Sequence, residues 1–291
     1  MIIRSEDDVT AAVLAEMHRT PDTRTKELLA SLVRHLHAFV RETRLTEREF
    51  QQAIGHLNAI GQKTTASHNE AMLIAGALGV SNLICLINNG DQGRLPTQAN
   101  NLGPFFREGA PRCEEGASLI RSETPGPSLR FKGYVKDISG KSVPGAEVDV
   151  WHSSPVGLYE NQDATQADMN LRGRFTTLAD GSFSFSTVKP AGYPVPTDGP
   201  NGVLLRAQGR HNWRPAHLHF LVCKPGYKTI ASQVYDPEDK YLETDSQFGV
   251  TKALIGDYRK DGDGYSLSFT FVLEPGDSVR PRAPITGKVA A

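Results

Sequence analysis

The stretch Leu129-Arg130-Phe131-Lys132-Gly133-Tyr134-Val135 decides how most of the 291-residue chain must be read. Successive side chains on a strand point to opposite faces, so Leu129, Phe131 and Val135 share one face while Arg130 and Lys132 share the other. The same period of two runs through Val148-Asp149-Val150-Trp151 and through residues 267–273. Phe175-Thr176-Thr177 and Phe183-Ser184-Phe185 flank Leu178-Ala179-Asp180-Gly181, whose Asp-Gly pair is a hairpin signal. Short strands joined by long Pro- and Gly-rich connections predict a mainly antiparallel β-sandwich over residues 101–291.

The front of the chain follows another pattern. All eight tyrosines, both tryptophans and 17 of the 18 prolines lie at or beyond residue 96, which places a junction within residues 88–103. Ser5-x-x-Asp8, Thr46-x-x-Glu49 and Ser67-x-x-Glu70 have the spacing at which a hydroxyl and a carboxyl satisfy reciprocal amides at a helix start. Leu28, Leu29, Leu32, Val33, Leu36, Phe39 and Val40 recur at helical spacing, as do Phe50, Ile54 and Leu57, so each helix should have one buried stripe. A helical domain over residues 1–100 buries little by itself, so it should pack on the second domain or on a second subunit, and a homodimer through these helices is expected as an additional contact because two-fold assemblies dominate. The whole is α+β. His35, His37, His56 and His68 have charged or polar neighbours and read as surface or packing histidines.

Balance rules out several functions. With 32 basic and 33 acidic residues the net charge is -1, which removes the driving force for nucleic-acid binding or docking on an anionic membrane. Cys85, Cys113 and Cys223 are odd in number, widely spaced and without a C-x-x-C, as expected in a reducing, cytoplasmic setting. The amino terminus lacks an apolar signal core, and the longest apolar run, residues 83–87, is too short for membrane insertion.

Function is sought on the long connections, because loops on a rigid sheet carry most sites. Residues 189–200 hold four prolines, two glycines and Tyr193, and residues 151–163 turn at Pro155 and Gly157 before offering Tyr159. Arg214-Pro215-Ala216-His217-Leu218-His219-Phe220 leads into a strand on which His217 and His219 share a face, a two-point clamp for a metal. Such a pair standing alone would as readily face solvent. Tyr134, Tyr227, Tyr235, Tyr241, Tyr258 and Tyr265 read as packed rings with wet hydroxyls.

Taken together, Val148-Asp149-Val150-Trp151-His152, residues 157–163, residues 191–200, Gln208-Gly209-Arg210-His211 and residues 214–219 resemble the intradiol ring-cleaving dioxygenases, nearest their hydroxyquinol-cleaving branch. The likeness runs from about Asp22 to Pro275 and implies a helical front followed by a β-sandwich, dimeric through the front, with a lipid sometimes in the interface. It implies a non-haem iron(III) held by Tyr159, Tyr193, His217 and His219. Such an ion makes a phenolate stable at neutral pH, which a free phenol titrating near 10 is not.

The resemblance further implies that both atoms of O2 enter an aromatic diol or triol, that the bond between the hydroxyl-bearing carbons breaks, and that Tyr193 leaves the metal and accepts a substrate proton. Arg214 would stabilise charge growing on the ring, where an ion pair with a nearby carboxylate is the plainer reading. Gln233 resembles a family pocket glutamine. Leu102, Gly103, Pro104 and Phe105 resemble the ring-pocket loop, with Pro194, Val195 and Val250 as further walls. Cys85 stands where hydroxyquinol-type relatives commonly carry an aspartate, so a thiol, assisted by Asn82, would face the ring substituent. Hydroxyquinol is the expected substrate. Catechol or a substituted catechol follows, and a non-catalytic ligand-binding sandwich is the reading from another class.

Overall fold

The computed structural model describes residues 2–89 and 97–289. Local capping starts the helices. The Ser5 hydroxyl accepts from the Asp8 amide and the Asp8 carboxylate accepts from the Ser5 amide at the start of α1 (Glu6–Glu16). Asp22 caps α2 (Thr23–Thr43), and Thr46 and Glu49 close the reciprocal pair at the start of α3 (Glu47–Lys63). The third expected pair does not form. Asn69, one residue before the first turn, caps α4 (Glu70–Ala77) by accepting from the Met72 amide, and α5 (Val80–Asn89) follows. The Glu70 carboxylate is drawn instead to His68 Nε2 and to the Asn201 amide, both at 2.6 Å, so it caps α6 (Pro200–Ala207).

Packing divides the chain into two compact units, Met1–Asn58 and Ala59–Ala291. The expected division near residue 100 follows the change of secondary structure and falls partly outside the described residues. The observed one lies inside α3, because Leu73 and Ala77 of α4 pack in a cluster with Phe105, Trp151 and Leu221. In the first unit no residue of α1 or α2 is fully buried, and Leu28, Leu32, Leu36, Phe39, Phe50 and Leu57 are exposed. The stripe expected to be buried is thus uncovered in the single chain, because three helices cannot enclose one face of each. Among the described residues no single helix is long and apolar enough to cross a membrane.

In the second unit, β1 (Ser128–Asp137), β2 (Glu147–His152), β3 (Arg172–Thr176), β4 (Ser182–Val188), β5 (Tyr193–Pro194), β6 (Trp213–Arg214), β7 (His217–Cys223), β8 (Ile230–Tyr235), β9 (Asp257–Asp261) and β10 (Gly264–Leu273) form two four-stranded sheets and one short pair. The sheet orders are β4-β1-β10-β9 and β3-β2-β7-β8, with β5-β6 apart. Pairing is antiparallel except between β1 and β10, whose chain separation permits a parallel ladder. The Asp180-Gly181 turn closes as expected, with Gly181 at φ +77, yet it is not a hairpin within one sheet. It carries the chain from β3 in one sheet to β4 in the other.

Phe131, Phe185, Phe220 and Phe271 fill the space between the sheets, with Phe131 and Phe185 stacked at 4.8 Å. Each such ring removed from water contributes roughly 1.5–3 kcal/mol. Strand β7 is buried on both faces. Leu218, Phe220 and Val222 enter the sandwich core, while Leu221 joins Trp151, Tyr159, Tyr193, Phe105, Phe106, Leu73 and Leu205 in a second cluster on the outer face. That second cluster turns the histidine face of β7 into an interior.

Candidate active site

Strand parity puts His217 and His219 on the covered face of β7, each about 1% exposed. His217 Nδ1 lies 2.7 Å from the Pro215 carbonyl, which can only accept, so the proton sits on Nδ1 and Nε2 keeps its lone pair. That Nε2 is 3.1 Å from His219 Nε2. The His219 ring stacks on Trp151 at 4.7 Å and 8°, its register partner on β2. Burial, reinforced by the Arg214 charge, lowers His217 to about 3, and burial, with the neighbouring His217 and Arg214, holds His219 well below the usual imidazole value. Both rings are neutral donors.

The phenols arrive on the two loops. Tyr159 precedes a single 3-10 turn (Glu160–Gln162), and the Glu160 carboxylate anchors that turn on Arg172 at 2.7 Å and on Arg107. Tyr193 lies on β5 directly opposite Arg214 on β6. The two hydroxyls meet at 3.5 Å. Two glycines make room. A β-carbon on Gly103 would lie 3.1 Å from His219 Cε1, and one on Gly157 would lie 3.1 Å from Tyr193 Cβ, both at left-handed φ. Burial, then the neighbouring Tyr193, raises Tyr159 well above 10, so its phenolate requires a cation.

Arg214 is buried with five close contacts. Its Nε and one terminal nitrogen donate to the two Asp245 oxygens at 3.0 Å, the same nitrogen reaches Gln233 Oε1 and the Tyr235 hydroxyl at 3.0 Å, and the other lies 3.3 Å from His217 Nε2. Burial works against the guanidinium charge, but Asp245 together with Tyr235 and Tyr193 outweighs it and holds Arg214 well above its usual value. The plainer reading, an ion pair, is therefore present, and the same cation also borders the donors.

A small cavity of about 10 Å³ opens beside this group, lined by Leu73 and Gly76 of α4 and by Ser81, Gly103, Pro104, Tyr193, Val195, Arg214 and Gln247 among others. Tyr193 lines it and Tyr159 does not. A larger concavity on the outer face of the β4-β1-β10-β9 sheet holds cations already paired, Arg130 with Asp261, Lys132 with Glu115 and Arg259 with Asp257.

The structure brings together Tyr159, Tyr193, His217, His219, Arg214, Gly103, Pro104, Phe105 and Val195, with the Phe105 ring 4.7 Å from that of Tyr159. Other expected residues lie elsewhere. Cys85 packs against the sandwich core, because α5 turns that face inward, and burial pushes its thiol up to about 11. Asn82 donates to the Phe248 carbonyl at 2.6 Å instead of lining the cavity. Pro194 is exposed, its neighbour Tyr193 taking the inner face. Leu102 borders a separate surface cavity beside Ala283 and Ile285, and Val250 is half-buried just past Gly249, off the cavity wall. Gln233 is one layer back: its amide nitrogen donates to Asn101 and its oxygen accepts from Arg214 and Tyr235.

Tyr235, read as an ordinary packing ring, is fully buried with its hydroxyl in the Arg214 network, and burial keeps that hydroxyl protonated. The signal for it was available, since Tyr235 and Gln233 share a strand face and pair in register with His217 and His219. Asp245 and Gln247, in a loop without a motif, carried no sequence signal.

The donor set suits a trivalent transition-metal ion. Two nitrogens at about 2.1 Å from one ion stand about 3 Å apart when the bonds are at right angles, which is the separation of the two Nε2 atoms. Among the described residues no group of three or more His, Cys, Asp or Glu side chains is placed to hold a metal ion.

Residues 102–275 match the family described as Dioxygenase, and residues 22–94 match Catechol dioxygenase N terminus. A 6-chlorohydroxyquinol 1,2-dioxygenase of Cupriavidus pinatubonensis is 42% identical over 271 residues, 93% of this chain and 98% of the relative. The solved hydroxyquinol 1,2-dioxygenase of Pseudomonas putida DLL-E4 superposes with a TM-score of 0.83 at 37% identity, covering 93% of this chain and 99% of that one. A catechol 1,2-dioxygenase of Pseudomonas arvilla C-1 gives 0.82 at 29% identity, with 96% of each chain covered. The chain belongs to the intradiol ring-cleavage dioxygenase family, whose members are generally non-haem iron enzymes.

Proposed function

We propose that Tyr159, Tyr193, His217 and His219 hold iron(III), and that the enzyme opens benzene-1,2,4-triol between its adjacent hydroxyl-bearing carbons to 3-hydroxy-cis,cis-muconate, which tautomerises to maleylacetate. The observation that carries this is the convergence of two phenols, two neutral imidazoles and one buried guanidinium beside a single cavity. Iron(III) would supply the charge that stabilises the phenolates, take the two diol oxygens and make the ring reactive toward O2.

The chain's own residues do the rest. Tyr193 is the phenol that meets the cavity, so its oxygen is the one placed to accept a proton from a substrate hydroxyl. Tyr159, packed behind Phe105, stays in place. Arg214 holds a positive charge beside the donors, where negative charge develops on the ring oxygens, and Gln233, Tyr235 and Asp245 keep it aimed. Trp151 and Phe105 exclude water. Catechol is the second reading, favoured by the apolar α4 wall at Leu73.

The test is oxygen uptake on benzene-1,2,4-triol and catechol, with product identification, on protein whose iron content is measured. A tyrosinate-to-iron charge-transfer colour is expected. A colourless protein that stays inert after ferric reconstitution would instead support a non-catalytic binding module.

The uncovered stripe of α2 and α3 supports a homodimer through the N-terminal helices, with a lipid as a further occupant of that interface. Leu36→Glu should halve the mass seen by light scattering, and an unchanged mass would remove this reading. The three free cysteines suit a cytoplasmic setting.

A further inference from the structure

Helix α4 presents Gly76 to the cavity, although nothing in its backbone demands a glycine, and an interior glycine weakens a helix. What the missing side chain provides is space. A β-carbon built on Gly76 would lie 1.8 Å from Gln247 Oε1 and 2.9 Å from its Cδ. The Gln247 amide therefore fills the volume that a side chain at position 76 would take.

The turn that carries Gln247 is held from several directions. Asp245 accepts from the backbone amides of Gln247 at 3.1 Å and Gly249 at 2.9 Å while it grips Arg214. The Ser246 carbonyl accepts from Arg210 at 2.7 Å, the Phe248 carbonyl accepts from Asn82 at 2.6 Å, and the Arg210 guanidinium lies over the Phe248 ring. Phe248 itself sits at φ +55, a conformation that survives only where its surroundings enforce it. A turn fixed this firmly delivers one buried amide, 4% exposed, to the same cavity as Tyr193 and Arg214.

That amide is not committed to the protein. Its nitrogen makes one long bond of 3.4 Å to the Ser246 carbonyl, and among the described residues no donor reaches its oxygen. Most other polar groups of the cavity wall are engaged, Arg214 with Asp245, Gln233 and Tyr235, Asn101 with Gln233 and Tyr193 with Tyr159, while the Ser81 hydroxyl of α5 also borders the cavity.

We infer that Gln247 is the specificity-determining residue for the ring substituent, its carboxamide, seated in the space that Gly76 leaves, pairing with the third hydroxyl of the substrate. This rests on the function proposed above. A hydroxyl can both donate to and accept from an amide, whereas hydrogen or chlorine at that ring position leaves the buried amide without a partner, a loss of about tenfold.

The experiment compares holoenzyme with Gln247→Val and Gly76→Ala, the second displacing the amide without removing it. For each, kcat/KM is measured on benzene-1,2,4-triol and on catechol, together with the affinity for both by anaerobic calorimetry. The triol-to-catechol ratio should fall about tenfold in Gln247→Val and shift the same way in Gly76→Ala, in turnover and in binding. A ratio unchanged in either folded variant, or an equal loss on both substrates, overturns the inference. Wild-type protein that prefers catechol corrects the proposed substrate while the variant ratios still judge Gln247. Wild-type protein that opens neither overturns both.

Discussion

Replacing Asp245 with asparagine removes one charge from an ion pair whose side chains are 2% and 3% exposed. The carboxylate takes two hydrogen bonds from Arg214 at 3.0 Å and two from the backbone of the turn at residues 245–249. An amide offers one accepting oxygen in place of two and no charge, so Arg214 stays buried without a counter-ion. Breaking such a pair costs roughly 3–5 kcal/mol, undiminished here because water does not screen it. Urea unfolding at pH 7 should show that loss for Asp245→Asn, and less for Arg214→Met/Asp245→Asn, in which no cation is stranded. The coupling should reach about 2 kcal/mol. Turnover of Asp245→Asn should fall at least about a hundredfold, as when an aimed charge-stabilising donor is lost. Stability within 1 kcal/mol of wild type, or strictly additive effects in the cycle, would refute the account of Arg214 as a cation held by this one carboxylate.

Other expectations concern the donors and their supports. Tyr159→Phe and His217→Ala should lose iron while Tyr193→Phe retains part of it, and equal full occupancy by elemental analysis in all three would sink the ligand assignment. Gly103→Ala forces a left-handed φ on a residue whose new methyl sits 3.1 Å from His219 Cε1, and should cost roughly 1–2 kcal/mol and lower iron content; unchanged values of both would contradict the close approach. Burial lowers His152 to about 4, so the folded chain stays unprotonated there while the unfolded chain takes a proton below about 6.5. The unfolded state then binds more protons, and about 3 kcal/mol of stability present above pH 6.5 should disappear as pH falls toward 4. His152→Asn should flatten that slope in urea melts, and an identical slope would count against it.

How much of this was readable in advance depended on range. The β-sandwich followed from period-two alternation, because a strand's two faces are written in its own sequence. Capping likewise worked where the partner lay three residues away, and failed at Ser67 because Glu70 found His68 and the Asn201 amide instead. The four proposed ligands stood out because Tyr159, Tyr193 and the His217/His219 pair lie in quotable motifs. Pocket walls were harder. The family resemblance put Cys85 in the pocket, whereas α5 packs it on the sandwich core and lends the wall only Ser81, beside Leu73 and Gly76 of α4.

The sequence alone determined the strand faces and most helix starts, both consequences of residues within a few positions of one another. Only the tertiary structure decided what those residues meet. It paired β1 with β10 in parallel, closed the outer face of β7 into an interior by laying Trp151, Phe105 and α4 over it, and brought Asp245 to Arg214 across 31 positions. Such meetings depend on how distant surfaces bury one another, and no local pattern records the partner a buried charge or an empty Cβ position will find.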